Sequence, residues 1–261
     1  MKIISVLKDS FLLLLKKPKL FLPKIFIAFL YSIVILSLPK IAIGSFQEPS
    51  IGLLNSVIFA FLFVLFVSFA DTCINAVFPF FVEDYFKRKD VSFLRAIALF
   101  RKRAFVAVAS PLIAEIAAIS LIVLLSFPVS FSIIYGNYVL AFFFMVLELA
   151  AIFSLAIIFF LVYPVASLGK SNVPASLEKS ISLAWKNLGN IAKLAAFSFA
   201  ISIITFIIPF AMEFSIGTFE KGLFLLVFIL LRLFVAVFAT YQYIINPVYY
   251  VKYLGEKKVP A

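Results

Sequence analysis

At 261 residues, 65% hydrophobic and 13% charged, with a mean hydropathy of +1.20, the chain is not a soluble globular domain. Such domains are about half apolar and about a quarter charged. With no histidine, histidine-dependent triads, histidine-containing zinc sites and the usual general base near neutral pH are excluded. A single cysteine, Cys73, rules out an intramolecular disulfide. The net charge of +11 raises nucleic acid as a partner, but the placement of the charges along the chain argues for a membrane instead.

The chain opens on an amphipathic segment in which Ile3, Leu7, Phe11 and Leu14 oppose Lys2, Lys8 and Asp9. Lys16 and Lys17 close it, and they interrupt the apolar run before it could serve as a cleavable signal. The apolar spans Leu20–Leu38 and Gly52–Ala76 follow, each near the roughly 20 helical residues that cross a hydrocarbon layer. Asp90 is the expected N-cap of a second amphipathic segment, with Phe93, Leu94, Ile97 and Phe100 against Arg95, Arg101, Lys102 and Arg103. Spans Ala104–Phe127 and Tyr138–Val162 come next. The third amphipathic segment starts around Pro174 and places Leu177, Ile181, Ala184, Trp185 and Leu188 on one face, with Glu178, Lys179 and Lys186 on the other. Spans Leu194–Met212 and Gly222–Ile245 complete the chain. The runs are continuously apolar rather than alternating, so they predict helices and not outer-membrane strands.

This order repeats three times. Pro79, Pro164 and Pro247, at the inner ends of the even spans, are 85 and 83 residues apart. Pro39, Pro128 and Pro209 are expected to end the odd spans. The predicted fold is therefore all-α: a polytopic bundle of six transmembrane helices in three parallel hairpin repeats, at about 1–88, 89–172 and 173–261. Each repeat is preceded by an interfacial amphipathic helix, and together they form a single integral membrane domain. Mitochondrial carriers share the three-by-two plan, but their Pro-x-acid-x-x-base signature is absent after Pro39, Pro128 and Pro209.

Twenty of the 23 lysines and arginines, counting Lys24 at the start of span one with the interfacial cluster before it, fall before span one, between spans two and three, between four and five, or after six. That asymmetry places both termini in the cytoplasm and the protein in the plasma membrane. The basic interfacial residues Lys16, Lys17, Arg95, Arg101, Lys102, Arg103, Lys179 and Lys186 are expected to meet anionic lipid headgroups, with Trp185 as an anchor.

Four charged residues lie deep enough in the apolar spans for charge to be expensive: Asp71, Glu115, Glu148 and Arg232. Each costs about 2.5–3.5 kcal/mol at a helix centre unless it finds a partner, a neutral form or water. Glu148 and Arg232 are separated by one repeat interval, and a pair between Arg232 and Glu148 or Glu115 is the expected remedy. Asp71 is placed nearer the inner face, within reach of water. The acidic residues Glu83, Asp84 and Asp90 flank Lys87, Arg88 and Lys89, which reads as interfacial ion pairing rather than a magnesium site. There is no Walker loop, no G-x-S-x-G elbow and no paired C-x-x-C, so no catalytic residue, metal or cofactor is expected.

Ser176-Leu177-Glu178-Lys179-Ser180, continuing to Ala184-Trp185-Lys186-Asn187, resembles the membrane domain fused to some glycerophosphodiester phosphodiesterases and related six-helix proteins. The resemblance implies a membrane module without the hydrolase, whose catalytic histidines have no counterpart here, and it transfers no site residue. The sequence thus points to a non-enzymatic membrane module that organises lipid or a membrane-protein partner. The alternative is a small permease working through Glu115, Glu148 and Arg232.

Overall fold

A computed structural model describes residues 2–32, 51–214 and 221–254 of the chain. Among them the protein is entirely helical. Helix α1 (Lys2–Lys16) leads through a 3-10 turn (Pro18–Phe21) into a helix that covers residues 22–32 (α2). There follow α3 (Ile51–Arg88), α4 (Phe93–Ile134), α5 (Tyr138–Ile158) and α6 (Val162–Leu168). The chain continues with α7 (Val173–Lys186), α8 (Leu188–Phe214) and α9 (Lys221–Tyr249), and a π-helical turn at Tyr250–Leu254. Among the described residues, five stretches are long and apolar enough to cross a bilayer: Leu65–Arg88, Phe93–Ile134, Tyr138–Leu168, Leu188–Thr205 and Leu226–Leu254. Of the span expected at Leu20–Leu38, residues 33–38 lie outside the described residues, as does Pro39.

Helix boundaries depart from the expectation in ways the side chains explain. The second amphipathic segment is not separate: it is the first three turns of α4, a helix of 42 residues. No glycine or proline stands between Phe93 and Ala104 to break it. Its N-cap is Ser92 rather than Asp90, with the serine hydroxyl accepting from the Arg95 amide at 3.4 Å. Pro128 and Pro209 do not end their helices but lie inside α4 and α8. Around Pro128, serine hydroxyls donate to carbonyls one turn back: Ser126 to Ile122, Ser130 to Ser126 and Ser132 to Pro128. The carbonyl that Pro128 leaves without its helical donor is that of Leu124, four residues back, and these hydroxyls bond to its neighbours rather than replacing that bond.

The α4–α5 turn takes three residues. Asn137 N–H reaches the Ser132 carbonyl at 2.8 Å and Gly136 N–H the Ile133 carbonyl at 3.0 Å, the paired bonds of a Schellman motif. The motif requires a left-handed residue, and Gly136 has φ +71°. Asn137 then caps α5 through the Leu140 amide.

The chain forms two compact units: residues 1–10, 76–200 and 244–261, and residues 11–75 and 201–243. In the first, α4 packs on α5, α6 and α7, and α7 also packs on α5 and α6. Buried side chains flank each of the three prolines that mark the sequence period. Ala76, Phe78, Phe81 and Val82 surround Pro79; Leu161, Val165, Ala166 and Ser167 surround Pro164; Ile244, Ile245, Val248 and Tyr249 surround Pro247. None of the twelve is more than 2% exposed. The Ser167 hydroxyl, fully buried, donates to the Ala76 carbonyl at 2.8 Å and joins two of these segments directly. In the second unit the core includes Leu20, Ile27, Val67, Leu231 and Ala236. Gln242 donates to the Ser202 hydroxyl at 2.9 Å, and Phe11 meets the Tyr241 ring edge-on.

Candidate functional site

Of the apolar stripe expected on α7 only Ala184 is fully buried, and it shares the buried face with two serines. Ser176, Ser180 and Ala184, at i, i+4 and i+8, are at most 1% exposed, while Leu177 and Ile181 are half-buried and Trp185 is 62% exposed. The reversal has a membrane logic. Lipid tails solvate leucine as well as a protein interior does, so close helix approach through small side chains decides which face turns inward. The large apolar side chains are left outside, beside the exposed Lys179 and Lys186. Trp185 also lines an apolar pocket of about 150 Å³ with Ser154, Ile157, Ile158 and Leu188.

The other interfacial basic residues divide by partner. Lys16, Arg101 and Lys102 are exposed, whereas Lys17 is half-buried and has a contact of its own. Arg95 and Arg103 are instead committed within the protein: Arg95 donates to Asp84 at 2.9 Å, and Arg103 to the Ser171 carbonyl at 3.0 Å. Asp84, only 7% exposed, also accepts from the Ser92 amide at 3.1 Å and lies 3.5 Å from the Arg88 Nε. One carboxylate therefore holds the end of α3 to the start of α4, where the helix N-terminal dipole favours a negative charge. Glu83 pairs with Lys87 one turn on, at 2.5 Å, and Asp9 pairs with Lys252 at 2.5 Å. Among the described residues no three acidic or cysteine side chains gather as a metal site needs.

Asp71 is held by a partner rather than left to water. Lys24 Nζ lies 2.6 Å from its carboxylate, with the two side chains 4% and 20% exposed, and the Asn75 amide donates to the second oxygen at 3.2 Å. The same ammonium lies 4.0 Å from the centre of the Tyr243 ring. Lys24 was legible as this partner. It lies four residues into span one and Asp71 five residues before the end of span two, so an antiparallel hairpin brings both to one depth. Counting Lys24 with the interfacial charges concealed the match.

The two glutamates each have a hydroxyl donor within their own unit. Tyr163 donates to Glu115 at 2.5 Å, and the single hydroxyl proton of Ser126 is shared between Glu148 at 2.6 Å and the Ile122 carbonyl at 2.9 Å, so it serves one of them at a time. Both glutamates are half-buried. Arg232 is 7% exposed, and its guanidinium lies 5.0 Å from the Phe228 ring centre, in cation–π range. Neither Tyr163 nor Ser126 stood out in the sequence, because hydroxyls at helical spacing are common in membrane helices.

No family profile, curated protein or solved structure matches the chain.

Proposed function

We propose that the protein is a non-enzymatic membrane module of three hairpin units, seated in the plasma membrane with both termini in the cytoplasm, that organises anionic phospholipid around its inner face. The observation that carries this reading is the pairing of exposed charge with exposed large apolar side chains on α4 and α7. Leu94 is 84% exposed, Phe105 78% and Trp185 62%, interleaved with exposed Arg101, Lys102, Lys179 and Lys186. Water would penalise the apolar members and hydrocarbon the charged ones, so the boundary between headgroups and chains suits both. Each lysine or arginine near an anionic leaflet adds about 1 kcal/mol of attraction. The similar burial around Pro79, Pro164 and Pro247 supports three equivalent units.

The Tyr163 hydroxyl that donates to Glu115 supports a structural role for that acid over proton exchange on a transport path. The test is reconstitution in bilayers with and without phosphatidylglycerol. Wild type should melt higher in the anionic bilayer. The variant carrying Arg101→Glu, Lys102→Glu and Lys186→Glu should lose that difference while keeping its midpoint in phosphatidylcholine. Equal midpoints for wild type in both bilayers would refute the reading.

A further inference from the structure

A cavity of about 480 Å³ opens where α3 ends, and three lysines line it: Lys87, Lys89 and Lys252. Glu83 is the one acidic lining residue, and Phe86, Leu168, Tyr250 and Val251 supply apolar and aromatic wall. The volume falls in the roughly 300–1,000 Å³ range of small-molecule sites. Its position follows the sequence period. Glu83, Leu168 and Val251 are each the fourth residue after one of the period-marking prolines, and all three line this one cavity. The third stretch reaches it through the π-helical turn Tyr250–Leu254, a local widening that often accompanies functional sites.

The charges around the cavity are unbalanced. Glu83 is matched by Lys87 and Lys252 by Asp9, both at 2.5 Å. Lys89 forms no ion pair among the described residues, and it is exposed. Its backbone is also unusual. Lys89 has φ +61°, the left-handed conformation that ends α3, and no other described non-glycine residue has positive φ. Glycine takes that conformation without strain, whereas a lysine there carries a steric cost. Backbone strain kept at a cavity wall is a pointer to use of the side chain.

We propose that this cavity is a binding site for a phosphate ester, with Lys89 as the principal cation and Lys87 and Lys252 flanking it. Ammonium groups are point-charge donors suited to phosphate oxygens. The apolar wall beside them suits an ester substituent better than bare phosphate, and in a membrane module the natural source is a phospholipid headgroup. That source rests on the lipid-organising reading above; the site itself does not. A purely structural role for Lys89, neutralising the C-terminal dipole of α3, makes the opposite prediction for its removal.

The test uses the full-length protein purified in a neutral detergent and titrated in turn with inorganic phosphate, glycerol 3-phosphate, dioctanoyl phosphatidylglycerol and dioctanoyl phosphatidylcholine, read by thermal midpoint and calorimetry. The proposal expects saturable binding of a phosphate ester. Lys89→Gly should weaken it at least tenfold while leaving the ligand-free midpoint equal or higher, and Lys89→Arg should retain it. Response to phosphatidylglycerol alone assigns the lipid source, and response to glycerol 3-phosphate assigns a soluble one. No saturable response to any phosphate ester overturns the proposal, as does equal binding by Lys89→Gly. The variant with Arg101→Glu, Lys102→Glu and Lys186→Glu separates the two readings. Saturable binding that persists in this variant puts the ligand in the cavity and not on the exposed charges of α4 and α7, and wild type that binds saturably yet shows no anionic-bilayer preference leaves the cavity standing and the surface reading refuted.

Discussion

Removing Asp71 is the most informative stability experiment, because its partner is nearly inaccessible. The Lys24 side chain is 4% exposed, so Asp71→Ala leaves an ammonium with little access to water. Breaking a buried pair from one side costs about 3–5 kcal/mol. The Tyr243 ring 4.0 Å from Lys24 is in place before and after the change, so it does not enter the difference. The expected loss is therefore about 3–5 kcal/mol. Lys24→Met should cost less, about 1–3 kcal/mol, because Asp71 is 20% exposed and keeps the Asn75 amide. Replacing both, Lys24→Met with Asp71→Leu, removes every stranded charge and should fall within about 1 kcal/mol of wild type. Unfolding in mixed micelles by dodecyl sulfate titration, run as a double-mutant cycle, reads the coupling directly. Additive single mutants would refute the pairing. A nearly silent Asp71→Ala would show that water reaches Lys24.

Tyr163→Phe removes the 2.5 Å donor to Glu115 and should destabilise by about 1–3 kcal/mol in the same assay, with Glu115→Gln cancelling part of the coupling. Gly136→Ala meets no atom within 4 Å, so its cost is backbone strain alone, about 1 kcal/mol, and a silent substitution would contradict the left-handed turn. In a Cys73→Ala background, Gly136→Cys should react with an impermeant thiol reagent applied to intact cells, whereas Ser92→Cys and Ser171→Cys should react only after lysis; the reverse pattern inverts the topology.

Much of this architecture was readable from the order of residues. Continuous apolar runs and the position of basic clusters announce membrane helices, since both follow from transfer free energy along the chain. The capping of α7 was equally local: Asn172 accepts from the Ala175 amide with Pro174 in the first turn. What the sequence hid was relational. Nothing local shows that Arg95 turns back to Asp84 instead of lipid, or that α7 buries serines and exposes tryptophan. Those outcomes depend on which neighbours approach, and in a membrane apolarity does not decide that. The cavity was hidden for the same reason, although the proline spacing that assembles its wall was visible from the start. Lys89 gave no sequence signal, because left-handed backbone is not encoded by a lysine.

The account turns on a preference for anionic lipid, and the direct measurement is the partition of spin-labelled lipids at the protein boundary in a mixed bilayer. Wild type should show a motionally restricted population enriched in phosphatidylglycerol over phosphatidylcholine, falling with added salt as screening shortens the reach of the exposed lysines. The Arg101→Glu, Lys102→Glu and Lys186→Glu variant should bring the two lipids to equal partition. Equal partition already in wild type, or an enrichment indifferent to those three charges, would contradict the account.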